Sequence, residues 1–337
     1  MRTLYFDCFS GASGDMIVGA LIDAGADFGA IRDAIGSLGL EGYELSCEKV
    51  NKHGIMATKF TVLVNGIAPE DPSHHDHDHA HDHGHSHSHG HAHDHPHAHE
   101  HQHKPAHKPH AHRHLRHIVE IVERGKLPQP VKDASVRTFR KIAECEAEVH
   151  GTTPEKIHFH EVGAIDSIID VVGANLALHQ LAPERVVASH LHVGSGTVKC
   201  AHGVMPVPAP ATALLLKGVP AYGGEIPGEL VTPTGAALIA QWAESYGPLP
   251  DMAAERIGMG AGTRDLADRP NVLRVVLGES AQAAGRATET ISVLEANVDD
   301  MNPEWMPPLV DALLAAGAQD AFLTPILGKK GRPAHLI

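Results

Sequence analysis

The 337-residue chain has few cysteines, few aromatic residues, no surplus of basic charge and no long apolar run. Phe, Trp and Tyr supply only 4% of it against a hydrophobic fraction of 42%, so Ala, Val, Leu and Ile must build its cores. Its four cysteines, Cys8, Cys47, Cys145 and Cys200, are scattered and form no Cys-x-x-Cys pair. That pattern speaks for a reducing compartment in which each thiol packs as a small hydrophobe. No stretch of about 18 apolar residues occurs, and Met1-Arg2-Thr3-Leu4-Tyr5-Phe6-Asp7 lacks the basic-then-apolar pattern of a secretory leader. We therefore expect a cytoplasmic protein with no membrane partner. The formal charge is −14 with histidine neutral. Protonating about a quarter of the histidines at neutral pH moves it to roughly −7. Either value argues against a nucleic-acid partner, which needs a basic footprint.

What the chain has in excess is histidine, 30 residues in all. One tract places it at every odd position: His75, His77, His79, His81, His83, His85, His87, His89, His91, His93, His95, His97, His99, His101 and His103. The even positions carry acids and small residues, with nothing bulky and apolar to bury, so the tract is expected to remain a solvated loop. Imidazole suits borderline metals such as nickel, zinc, copper and cobalt. The tract reads as a metal-collecting segment with many interchangeable sites, or as a linker that tolerates histidine. Only neutral imidazole ligates, so its loading should depend on pH.

Residues 3–9 read as a buried strand turning through Ser10-Gly11-Ala12-Ser13-Gly14-Asp15 into a helix from Met16 to Ala24. A helix (28–38) and two strands (43–50 and 55–64) follow. Helical patterning returns at 115–119, from Val131 to Val149 and from Asp166 to Leu181. Residues 185–193 read as a strand, 194–210 as Gly- and Pro-rich loops, 211–216 and 232–242 as helices, and 272–277 as a strand. The polar, Ala-rich stretch 279–290 resembles a linker, and a strand (291–298), a helix (303–316) and a strand (321–326) come after it. This alternation predicts an α/β N-terminal domain (1–66 and 115–278) with an inserted disordered His-rich loop (67–114). The start of a smaller α+β C-terminal domain (291–337) is expected beyond the linker.

Three groups of residues carry candidate chemistry. Between the first strand and helix, Ser10, Gly11, Ser13, Gly14 and Asp15 could let backbone amides approach a phosphate or carboxylate, and a plain tight turn explains them equally well. His158, His160, Glu161 and Asp166 form the second group, with Asp170 nearby. If residues 157–161 are extended, His158 and His160 share a face and could chelate one metal, while Asp166 would cap the next helix or support a ligand. In the third group, prolines 206, 208 and 210 could position His202 as a ligand. Thr232 and Thr234 could cap a helix or contact a phosphate.

Four segments then carry a resemblance: Asp7-x-x-Ser10-Gly-Ala-Ser-Gly-Asp-Met16, His158-Phe-His-Glu-Val-Gly-Ala-Ile-Asp-Ser167, His202-Gly-Val-Met-Pro-Val-Pro-Ala-Pro-Ala-Thr212 and Glu229-Leu-Val-Thr-Pro-Thr-Gly-Ala-Ala237. Taken in order, they resemble the LarC family of nickel insertion proteins, across the chain outside the histidine tract. The resemblance implies a lyase-class cyclometallase that inserts Ni(II) into pyridinium-3,5-bisthiocarboxylic acid mononucleotide. The product is the nickel-pincer cofactor of lactate racemase, formed through two Ni–S bonds and one Ni–C bond. It also implies CTP with Mn(II) or Mg(II), associated with a C-terminal part in which Asp299, Asp300 and Lys330 are candidates. That part is expected to be truncated at Ile337. Apo lactate racemase is an implied partner, and a homo-oligomer is expected. Metallating a ring carbon needs a base such as Glu161 or a histidine. Two other readings stand beside it: a nickel store or metallochaperone without its own catalysis, and a metal-dependent hydrolase using His158, His160 and Asp166.

Overall fold

Leu4 and Phe6 alternate with Thr3 and Tyr5 along β1 (Arg2–Asp7), and all four are buried, so both faces of this strand are covered. The computed structural model describes residues 1–67, 113–159, 162–200, 202–280, 292–298 and 300–337. The tract histidines from His75 to His103, together with His160, Glu161 and Asp299, lie outside the described residues. The chain divides into two units, Met1–Gln282 and Ala283–Ile337.

In the first unit, α1 (Gly14–Asp23), α2 (Phe28–Gly36), β2 (Tyr43–Lys52) and β3 (Ile55–Val64) follow β1. Next come β4 (Arg113–His114), α3 (Leu115–Arg124), α4 (Gln129–His150), β5 (His158–Phe159) and α5 (Ile165–Leu181). Then follow β6 (Arg185–Ala188), β7 (Leu191–Ser195), β8 (Thr197–Cys200), β9 (Gly203–Pro206), α6 (Pro210–Leu215) and β10 (Ala221–Glu229). The unit ends with α7 (Pro233–Trp242), β11 (Ser245–Tyr246), β12 (Met252–Ala261) and β13 (Val272–Ser280).

A seven-stranded sheet runs β11-β6-β1-β13-β12-β3-β2. It is mixed: β1 is parallel to β6 and antiparallel to β13, and β6 is parallel to β11. Leu4, Phe6, Val275 and Leu277 share one core with α1, α5 and α7, whereas Tyr5, Val187 and Val276 form a small separate cluster. Helix α4 packs on α5, α6 and α7. The few aromatics are used at joints. Phe6 meets Trp242 with ring centroids 5.9 Å apart, and the Trp242 indole N–H donates to Asn175 Oδ1 at 3.2 Å.

The contact between α1 and β12 is made by main chain. A Cβ at Gly260 would collide with Met16 O, and one at Gly258 with Ala20 O, so the helix rests on the strand with no side chain between them. Glycine inside a strand marks such close approaches.

The strand expected over 185–193 is two strands. Ser189 breaks it: its Oγ accepts from Cys8 N–H at 2.9 Å and donates to His190 O at 2.9 Å, turning the chain out of the main sheet. Part of 194–210 is a hairpin of β8 and β9, with Pro206 at its end, where no ladder donor is needed. Residues 221–229 and 252–261, rich in glycine and alanine, are strands that periodicity did not indicate. Cys8 and Cys145 are buried, and burial pushes the Cys8 thiol up to about 12.

The second unit holds β14 (Asn297–Val298), a 3-10 turn (Pro303–Trp305), α8 (Met306–Ala315), β15 (Thr324–Leu327) and β16 (Pro333–Leu336). Its sheet order is β14-β16-β15, with both neighbours antiparallel to β16. Of the expected 291–298 strand, Asn297 and Val298 form β14, and Ala296 exchanges backbone hydrogen bonds with Ile337 just before it. Among the described residues no helix is long and apolar enough to cross a membrane.

Gly260→Ala should lower stability by roughly 1–3 kcal/mol or more, since α1 would have to lift from the sheet. Urea denaturation reads this directly, and an unchanged midpoint would contradict the backbone packing.

Candidate functional site

Gly11, at φ +90°, turns the chain after β1 so that its N–H returns to Cys8 O at 3.0 Å. Ala12 then joins the segment before α7: its N–H donates to Leu230 O at 3.0 Å, and its carbonyl accepts from Thr232 N–H at 3.1 Å. Side chains at Gly11 or Gly235 would strike Leu230 O or Ala12 O. These contacts bring the starts of α1 and α7 together. Helix α5 joins them at Gly14, where a Cβ would lie 2.7 Å from Asp170 Oδ2.

The centre of this junction is acidic. Asp170 accepts a hydrogen bond from the Asp15 backbone N–H, and its Oδ1 is buried without a partner. Burial, then the charges of Asp15 and Asp166, push the Asp170 carboxyl well above the ordinary aspartate range, partly opposed by Lys59. Asp15 accepts from Ser13 Oγ and pairs with Lys59 Nζ at 2.5 Å. Lys59 also donates to Thr263 Oγ1 at 2.7 Å. The free amide at the helix start is thus taken by a carboxyl of the chain itself. An incoming phosphate at Ser13–Gly14 would meet three aspartates, so this loop suits a cation or a proton-holding group better than an anion.

The other expected residues fall as follows. Ser10 is fully buried and its hydroxyl donates to Pro270 O at 3.0 Å. Asp166 is not a cap: the cap position is Ala164, and Asp166 Oδ1 accepts from Ser167 N–H at 2.8 Å in the first turn. Thr232 caps α7, accepting from Gly235 N–H at 3.2 Å, and its hydroxyl lies 2.9 Å from that of Thr234. His158 is exposed and meets His114 with ring centroids 3.9 Å apart. His202 meets His150 at 4.8 Å, and His150 approaches Glu146 at 3.5 Å. The two expected ligands His158 and His202 therefore have different histidine neighbours. In the second unit, Asp300 follows β14, and Lys330 sits at φ +61° in the turn between β15 and β16. The antiparallel register brings both to the same end of the three-stranded sheet.

A hollow of about 270 Å³ opens at the carboxyl ends of parallel strands β1, β6 and β11, where α/β sheets commonly receive ligands. Tyr5, Asp7, Ser189, His190 and Tyr222 line it. Asp7 pairs with Arg274 at 2.5 Å. Tyr222 stacks on buried His192 at 4.7 Å and 4°; His192 Nδ1 lies 3.0 Å from Phe9 O, and Nε2 has no partner. Sequence reasoning missed Lys59, Arg274 and Tyr222, which reach these places through sheet pairing or loop packing. Asp170 was legible as the residue one helical turn beyond Asp166.

Asp170 gives a pH signature. Its folded pKa stands above that of the unfolded chain, so the native protein keeps a proton that the unfolded chain releases. Stability should fall as pH rises from the ordinary aspartate value through the folded one, and stay lowered above it. Asp170→Asn should remove that decline. Superimposable stability profiles for the two proteins, from urea midpoints at graded pH, would refute the assignment.

The family match and the curated relatives agree with one another. The model of the nickel insertion protein family matches residues 4–337. A "Pyridinium-3,5-bisthiocarboxylic acid mononucleotide nickel insertion protein" of Geobacillus kaustophilus (strain HTA426) is 42% identical over 344 residues, covering 100% of this chain and 76% of the relative. A protein of the same name from Desulfitobacterium hafniense (strain DSM 10664 / DCB-2) is 43% identical over 342 residues, covering 100% and 74%. No solved structure gives a significant match. With the family match spanning nearly every residue, the chain belongs to the nickel insertion protein family.

Proposed function

We propose that the chain inserts Ni(II) into pyridinium-3,5-bisthiocarboxylic acid mononucleotide, completing the nickel-pincer cofactor of lactate racemase in the cytoplasm. The observation that carries this reading is the 42–43% identity, over the whole chain, to relatives named for that substrate. Nickel is the cargo of the reaction. As Ni–C forms, the ring carbon gives up its proton, so a base must stand beside it. Glu161 is our candidate, with His158, His160 and Asp166 as the other candidate residues of the same sequence segment. The substrate's two sulfur donors outcompete imidazole for nickel, so histidine-held metal can pass to the product.

The hollow beside Tyr222 supports the substrate assignment, because a flat cationic ring suits an aromatic face. For the phosphate, the α7 start with Thr232 and Thr234 is preferred over the acidic α1 start. CTP with Mn(II) or Mg(II) is proposed for the second unit. Asp299 and Asp300 would hold the metal and Lys330 the triphosphate, which the shared position of Asp300 and Lys330 supports.

Purified chain, nickel, manganese, CTP and the bisthiocarboxylated mononucleotide should together activate apo lactate racemase. Glu161→Gln should abolish product while leaving nickel binding intact, and unchanged turnover would remove Glu161 as the base. The histidine content between 74 and 114 favours storage as a second reading. Deleting that stretch separates the two, since an inserting enzyme keeps its activity at high nickel and a store loses its capacity.

A further inference from the structure

The two-stranded ladder of β4 and β5 pairs His114 directly with His158. Directly opposed residues on antiparallel strands place their Cβ atoms about 4.5–5.5 Å apart on one face. The two imidazole rings accordingly lie with centroids 3.9 Å apart. His114 is also the cap residue of α3, and His117, three residues on, lies on the same side of the first turn. Its ring centroid is 5.7 Å from that of His114. Three histidines from two segments distant in sequence are thus gathered by backbone pairing, and no core packing requires imidazole there.

We propose that His114, His117 and His158 form a binding site for a borderline divalent metal, distinct from the histidine tract. His114 Nδ1 lies 3.2 Å from Ile157 O, which fixes that nitrogen as the donor and leaves Nε2 to ligate. A carbonyl holding the far nitrogen is the usual way a ligating histidine is oriented. His158 is exposed and free to turn its ring toward the same point. Among the described residues no three ligand-type side chains already stand in closed metal geometry, so binding at this site requires the rings to turn. Arg116 Nε approaches His117 Nε2 at 3.3 Å. A guanidinium beside the third ligand weakens the site and speeds release, which suits hand-over of an ion more than its storage. That the ion is nickel rests on the proposed function; that a metal binds rests on the register alone.

The test uses the full-length chain with every histidine from His74 to His112 replaced by asparagine, dialysed to equilibrium against nickel chloride with neither substrate nor CTP. Nickel retained by this protein should lose one equivalent of binding, weakened roughly tenfold or more, on His114→Ala or His158→Ala. Arg116→Ala should tighten that equivalent, and His179→Asn, on the exposed end of α5, should leave it unchanged. Peptide-resolved carbethoxylation of the chain with its tract intact gives the second readout, with nickel protecting His114 and His158. Retention unaffected by either alanine substitution, or no protection at either histidine, overturns the site. Because no substrate is present, absence of insertion activity cannot imitate that failure.

Discussion

The first unit depends on how closely the main chain of α1 can approach its surroundings. On one side the helix rests on β12 through Gly258 and Gly260; at its start it touches Asp170 through Gly14, while Gly235 lets α7 close on Ala12. Each approach needs the absence of a Cβ, and together they leave the helix no room to slide. A rigid seat of this kind fixes where the first turn of α1 presents Ser13 and Asp15. The aliphatic core of Leu4, Ile17, Leu21, Ile168 and Val275 supplies the burial that holds the seat closed.

That precision has an electrostatic consequence. A helix start is attractive to negative charge, and here the chain fills it with its own carboxyls. Asp170 is desolvated and faces Asp15 and Asp166, with Lys59 as the nearby cation. Keeping a buried carboxyl with an unpartnered oxygen is unfavourable for the fold, and such groups concentrate where chemistry needs them. A protonated or cation-seeking aspartate beside α7 is compatible with a family named for nickel insertion.

Histidine pairs occur at more than one place among the described residues. His114 and His158 meet across a strand pair, and His150 and His202 meet between a helix end and a hairpin. Imidazoles held by backbone register bind differently from a histidine-rich run with no apolar surface to fold around. The first kind selects a geometry, the second raises the local concentration of ligand. A protein carrying both can collect an ion loosely and present it in one orientation.

The sequence by itself determined the helices with clear apolar periodicity, the strand before Gly11, the aliphatic character of the cores and the family. Each of these is written in local spacing or in contiguous residues such as Ser10 to Met16. The strands over 221–229 and 252–261 were hidden because glycine and alanine blur the alternation that announces a strand. Only the tertiary structure decided that Lys59 of β3 faces Asp15, that Gly14 lies on Asp170, and that Tyr222 covers His192. It likewise gathered Asp15, Asp166 and Asp170 near the α1 start and gave His158 a partner in His114. Those pairings join residues far apart in the chain through sheet register and close helix contact. No local pattern encodes them, because they are set by how whole elements exclude one another in space.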